Sequence, residues 1–155
     1  MFRYSLVYAI RDKEHGLSKR ICHYASELGL NAFTPHVTIL HSLSFDHAKH
    51  LLSIFDTKYD VPEFRPLSSV SVTCTPLVTA NGKKVLFYAV EQPILTNEKQ
   101  VMNMHLSLAY KVGTPFTLSE LDKIKPYNGL LRANDLQLCI HSCHAKSPSF
   151  WKRVL

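Results

Sequence analysis

Two short segments of the chain share one pattern, and this duplication constrains the fold more than any other feature. The first segment is His36-Val37-Thr38-Ile39 and the second is His105-Leu106-Ser107-Leu108. Each consists of a histidine, an apolar residue, a hydroxyl residue and a second apolar residue. Because successive side chains of a strand point to opposite faces, each segment would bury its two apolar side chains on one face. The pattern therefore predicts two strands that each present an imidazole and a hydroxyl on the other face.

Such strands, placed side by side, would direct two imidazoles and two hydroxyls into one groove. Histidine has an unperturbed pKa of about 6.5, so one copy can act as a base and the other as an acid near neutral pH. The hydroxyls can donate hydrogen bonds to the non-bridging oxygens of a phosphodiester as charge develops there. This chemistry needs no metal ion or other cofactor. The alternative is two unrelated strands with surface histidines, since a chain with nine histidines contains the bare pattern by chance.

The two tetrapeptides resemble the signature motifs of the 2H phosphoesterases, the LigT-like superfamily. The resemblance implies an α+β fold of two pseudo-symmetric lobes around a central cleft, each lobe an antiparallel sheet backed by helices. It also implies metal-independent cleavage of phosphodiesters, with His36, Thr38, His105 and Ser107 as the catalytic residues. One histidine would deprotonate the attacking hydroxyl or water, and the other would protonate the leaving oxygen. The sequence does not indicate which histidine is the base.

The substrate expected from this resemblance is a small nucleotide. Only 69 residues separate His36 from His105, which leaves little room for insertions that bind large RNA. The layout resembles that of small viral members such as the phage anti-CBASS nucleases, in which a tyrosine of the first strand and a tryptophan near the C-terminus stack on bases. This implies that Tyr4 and Trp151 bind the substrate, although both could instead pack in the core. The implied function is cleavage of 3′,5′ or 2′,5′ bonds in cyclic oligonucleotide messengers such as cyclic GMP-AMP, as a viral immune-evasion nuclease.

Other functions remain open at this stage. Within the enzyme class, the substrate could be a 2′,5′-oligoadenylate or a nucleoside 2′,3′-cyclic phosphate. A protein of another class, a non-catalytic sponge that sequesters a nucleotide, would also account for the motifs. Two titratable side chains argue against the sponge, because binding alone does not need both of them.

Composition supports a nucleotide partner and a single domain over residues 1–155. The net charge of +6 favours anionic ligands, and the absence of a dense Lys/Arg run means that a long nucleic acid is not required. No apolar run approaches membrane-spanning length, and the N-terminus lacks the pattern of a signal peptide. Four scattered cysteines fit a reducing compartment. We therefore expect a cytoplasmic protein, in the host cytosol if it is viral, with no membrane association and no obligate protein partner.

No metal site is expected. The best candidate cluster is Cys139-x-His141-x-Cys143-His144, near the C-terminus. Its spacing matches no standard zinc module, and ligands at alternate positions of one strand make a poor tetrahedron.

The order of elements predicted from periodicity and turn residues is β-α-β-α-β-β-α-β-α-β. Helices are expected at 13–28, from Asp46 onwards, at 95–104 and after the capping box that begins at Thr117. A hairpin is expected at Asn81-Gly82, and a final strand at 134–144.

Overall fold

The computed structural model of the chain describes residues 4–58, 63–78, 81–96, 99–142 and 152–155. The strands are Tyr4–Ala9 (β1), His36–Leu43 (β2), Glu63–Pro66 (β3), Ser71–Val78 (β4), Lys84–Thr96 (β5), Lys99–Val112 (β6), Leu131–Arg132 (β7), Gln137–Ser142 (β8) and Lys152–Arg153 (β9). The helices are Gly16–Leu28 (α1), Phe45–Lys58 (α2) and Leu118–Lys123 (α3), with a 3-10 turn at Ala133–Asp135. The fold is therefore α+β, as predicted.

These nine strands form one antiparallel sheet. Its order is β7-β3-β5-β6-β2-β1-β8-β9, and β4 pairs with the first part of β5. The two motif strands β2 and β6 are neighbours at the centre of the sheet. The order of the strands thus brings together two segments that lie far apart in the sequence.

Helix α1 ends at residue 28, as the sequence predicts, but it begins at Gly16 rather than at residue 13. The side chain of His15 accepts a hydrogen bond from the Leu17 backbone N–H at the start of α1, and Gly29 ends the helix in the left-handed conformation (φ 68°). At α3, Thr117 and Glu120 form the predicted capping box.

The prediction of a helix at 95–104 is wrong. The described residues of this range belong to the end of β5 and the beginning of β6. Phe64 of β3 pairs with Thr96, and Leu95 pairs with Gln100 across the hairpin. The segment thus pairs with the distant strand β3 on one side and forms a hairpin with β6 on the other, and this sheet hydrogen bonding outweighs the weak local preference for a helix.

One face of the sheet carries the main core, and α1 and α2 cover it. Its buried apolar side chains include Leu6, Tyr8, Val37, Ile39, Leu106, Leu108 and Ile140 from the strands and Leu17, Ile21, Tyr24 and Ala48 from the helices. The second and fourth residues of both motifs thus lie in the core, as the alternation predicts. None of the described helices is long and apolar enough to span a membrane.

The opposite face of β1, β2 and β8 carries small or polar side chains instead. Val7, Ala9 and Cys139 form a separate buried cluster on it. Val7 lies opposite both Thr38 and Cys139, and Ala9 lies opposite His36. Because residues paired across an antiparallel sheet point to the same side, this face is the one that the motif histidines share. We call it the polar face.

Candidate active site

The register of β2 and β6 assembles the four motif side chains. Val37 pairs with Leu106, and Thr38 pairs with His105. The next pair along the same register consists of His36 and Ser107. Because the strands are antiparallel, the histidine of each motif lies opposite the hydroxyl residue of the other. The four polar side chains therefore occupy adjacent positions on the polar face.

Most of this group is enclosed rather than open to solvent. Relative exposures are 4% for His36, 5% for Thr38 and 1% for Ser107, whereas the His105 side chain is 20% exposed. His105 is therefore the most solvent-accessible of the four side chains. The exclusion of water strengthens electrostatic interactions within the group.

His36 is held in a defined tautomer. Its Nδ1 lies 2.8 Å from the backbone oxygen of Thr34, and a carbonyl oxygen can only accept a hydrogen bond. Nδ1 therefore carries the proton, and Nε2 keeps a free lone pair. The pKa of His36 is lowered to about 4, chiefly by burial and to a lesser extent by the nearby His105 and Arg11, against the raising effect of the Thr34 hydrogen bond. His36 is thus neutral near pH 7, with a nitrogen that can accept a proton.

His105 has a carboxylate beside it. Glu91 Oε1 lies 3.4 Å from His105 Nε2, and both side chains are largely shielded from solvent. Glu91 is placed there by β5, where it pairs with Ser107. The Thr73 hydroxyl donates a hydrogen bond of 2.9 Å to the same carboxylate oxygen and orients it. The Glu91 carboxylate therefore lies within ion-pair distance of the His105 ring.

A third histidine, His141 of β8, also lies on the polar face. The His36 and His141 rings are 5.2 Å apart between centroids, in an edge-to-face arrangement. His141 is only 2% exposed, and neither of its ring nitrogens has a hydrogen-bond partner among the residues that the structure describes. Burial, followed by the influence of His36, Arg11 and Arg153, lowers its pKa to about 3. The ring is therefore a neutral, buried and unsatisfied polar group.

Ser107 Oγ is the other buried polar atom in this region that has no partner within the described part of the chain. Buried hydroxyls are nearly always hydrogen-bonded, since losing water without replacement is costly. An unsatisfied hydroxyl between two histidines is therefore a place where a ligand oxygen would be bound.

Two arginines lie near His141. Arg11 Nη2 is 3.5 Å from Cys139 Sγ, and Arg153 pairs with His141 across β8 and β9. Both guanidinium groups act on the pKa of His141, and both residues are exposed. The polar face thus has a carboxylate at the His105 end and two cations at the His141 end.

Of the two residues proposed for base stacking, Tyr4 is not brought to this group. Tyr4 lies on the helix-covered face, 5.2 Å from the Phe45 ring between centroids, and packs against the main core. The prediction that Tyr4 lines the site is therefore corrected, because the even-numbered residues of β1 point away from the histidines. Trp151 lies outside the described residues, as do Cys143 and His144.

Glu91 and Arg11 are not among the site residues predicted from the sequence, and His141 is included there only as a possible metal ligand. Glu91 is an acidic residue within a strongly apolar strand, and this could have been taken as an indication of a site. Across the described residues, no group of three or more histidine, cysteine or acidic side chains could hold a metal ion.

Comparisons of this chain with models of known protein families, with curated proteins and with solved structures find no match.

Proposed function

We propose that the chain is a metal-independent phosphodiesterase of the 2H type that opens cyclic oligonucleotides. The observation that carries this proposal is the pairing of Thr38 with His105, which places two histidines and two hydroxyls on one face of adjacent strands. A bilobal 2H fold, with β2 and β6 as the central strands of two related halves, is part of the same proposal. So are a cytoplasmic location and a role in evading nucleotide-based immune signalling.

The proposed roles of the two histidines follow from their hydrogen bonds. His36 is the general base, because its Nδ1 proton is bound to Thr34 and its Nε2 is free to take the proton of the attacking hydroxyl or water. The attacking oxygen forms a new bond to phosphorus as the bond to the leaving oxygen breaks. His105 is the general acid that protonates the leaving oxygen, and the Glu91 carboxylate, 3.4 Å from its Nε2, orients the ring.

Thr38 and Ser107 are proposed to hold the phosphate. Each lies directly beside a histidine, and Ser107 Oγ lacks a partner within the described part of the chain, so its hydrogen can be donated to a non-bridging oxygen. The charge of +6 favours encounter with an anionic substrate.

The test is turnover in the presence of EDTA. Cyclic dinucleotides, 2′,5′-oligoadenylates and nucleoside 2′,3′-cyclic phosphates are incubated with the wild type and with His36→Gln and His105→Gln, and the products are identified. Each substitution should lower the rate by about 10²–10⁴-fold, the usual size of general acid–base effects. The matched control is His41→Gln, an exposed histidine of the same strand β2, which should keep full activity.

Three outcomes would overturn parts of this proposal. Opening of only oligoadenylates or only 2′,3′-cyclic phosphates would replace the proposed substrate. Full activity in His36→Gln or His105→Gln would remove the catalytic assignment. Tight binding of a ligand that is recovered unaltered after long incubation would instead favour the sponge.

A further inference from the structure

We propose that His141, Arg11 and Arg153 form a second anion-binding subsite next to the reacting phosphate. The proposal rests on the proposed function and specifies its substrate class. The substrate would carry at least two phosphate groups, one between the motif histidines and one beside His141. A cyclic dinucleotide meets this requirement, and a nucleoside 2′,3′-cyclic phosphate does not.

The subsite is supported first by the unsatisfied imidazole of His141. His141 is 98% buried, yet neither ring nitrogen has a partner in the described part of the chain. A buried polar group without a partner destabilises a fold, and an apolar side chain of the same shape would avoid that loss. A histidine in such a place is explained if a ligand supplies the missing hydrogen bonds.

The position of the His141 ring also supports the subsite. His141 lies 5.2 Å from His36 between ring centroids, and Ser5, Val7 and Ala9 of the intervening strand β1 have small side chains that leave the two rings in contact. A group bound to His141 would therefore be adjacent to the phosphate at His36. It would be part of the same ligand rather than an independent one.

The charges around His141 support the subsite as well. The groups that act electrostatically on His141 are His36, Arg11 and Arg153, which are cationic or become so on protonation. Arg11 also lies against Cys139, two residues before His141 on the same face. A neutral imidazole offers one donor and one acceptor, which suits a phosphoryl oxygen and a ribose hydroxyl. The two guanidinium groups supply the charge that phosphate attracts.

The experiment compares one-phosphate and two-phosphate ligands. Binding of 3′,3′-cyclic GMP-AMP and of adenosine 2′,3′-cyclic phosphate is measured by calorimetry on the His105→Gln protein, alone and with His141→Phe, His141→Gln or Arg153→Ala added. His141→Phe should weaken the binding of the cyclic dinucleotide by about tenfold or more, as expected when a hydrogen bond to a charged group is lost. The Kd of the one-phosphate ligand should change by less than about threefold. Arg132→Ala, an exposed arginine of the distant strand β7, is the matched control for Arg153→Ala.

Thermal unfolding keeps the result interpretable. Because its ring nitrogens are unsatisfied, replacing His141 by Phe should leave the Tm unchanged or raise it while binding falls. If His141→Phe does not fold, His141→Gln and Arg153→Ala test the same subsite.

The two proposals fail in different ways. If His141→Phe weakens the binding of both ligands equally, or of neither, the second subsite is overturned even if the wild type is an active phosphodiesterase. A wild type that cleaves neither ligand overturns the proposed function. In that case, a selective loss of affinity for the two-phosphate ligand in His141→Phe would still support the subsite.

Discussion

Thr38 pairs with His105 across the two central strands, so the hydroxyl of one motif lies beside the imidazole of the other. Cβ atoms of directly opposed residues are about 4.5–5.5 Å apart, which is close enough for both side chains to contact one phosphate. The two histidines therefore lie diagonally across the group rather than directly opposite each other. A phosphate between them would have one imidazole on its attacked side and the other on its leaving side.

The tautomer and the pKa of His36 predict the pH dependence of catalysis. With a pKa of about 4, His36 is already deprotonated at pH 5 and can act as a base there. The acidic limb of kcat/KM, which reports the base of the free enzyme, should therefore lie near pH 4 rather than at the unperturbed histidine value of about 6.5. The measurement is kcat/KM from about pH 3.5 to 9 at constant ionic strength. An acidic limb near pH 6.5 would argue against His36 as the base.

Stability should fall in mild acid because two histidines are buried in their neutral forms. In the unfolded chain His36 and His141 take up protons near pH 6.5, whereas in the folded state they do so only near pH 4 and pH 3. Between those values the unfolded state binds more protons, so the free energy of unfolding decreases as the pH falls. Above about pH 6.5 both residues are neutral in both states and contribute no dependence. For His36 alone the loss by pH 4 is roughly 3 kcal/mol.

Urea unfolding at pH 7.5 and pH 4.5 measures this effect. His36→Gln and His141→Phe should each show a smaller loss between the two pH values than the wild type. His23→Gln, a largely exposed histidine of α1, is the control and should not change the loss by a comparable amount. An unchanged pH dependence in both site variants would show that other groups cause the acid destabilisation.

Glu91 should act through His105 rather than on the substrate. Glu91→Gln removes the charge but keeps the shape, and we expect kcat to fall by about tenfold with little change in KM. Glu91→Asp should restore part of the loss, because the carboxylate is retained. Glu63→Gln, an exposed glutamate of β3, serves as the control. A rise in KM with unchanged kcat would indicate that Glu91 contributes to substrate binding instead.

The apolar residues of the motifs should carry stability rather than activity. Leu106 is fully buried in the main core, so Leu106→Ala should lower the free energy of unfolding by about 2–5 kcal/mol. Leu118→Ala, at a position that is 82% exposed, should change it by less than about 0.5 kcal/mol. Denaturant titration measures both. If Leu106→Ala lowers the free energy of unfolding no more than Leu118→Ala does, the assignment of the two faces of β6 is contradicted.

Local patterns in the sequence were sufficient for much of the fold. The alternation of the motifs correctly placed Val37 and Leu106 in the core, and the capping box at Thr117 and the glycine at position 29 correctly marked helix ends. These features depend on a residue and its near neighbours, so they can be inferred without the partner strands. The helix expected at 95–104 failed because the segment forms a hairpin that is extended by pairing with β3, a strand distant in the sequence.

What the chain determined by itself was which residues share a face of each strand; only the tertiary structure decided which faces meet. Tyr4 and Val7 belong to opposite faces of β1 in any strand, but the pairing of Val7 with Thr38 is what turns Tyr4 away from the histidines. Glu91 and His141 join the site for the same reason, through β5 and β8. Strand order and register arise from contacts summed over the whole sheet, and no single segment of the sequence contains them.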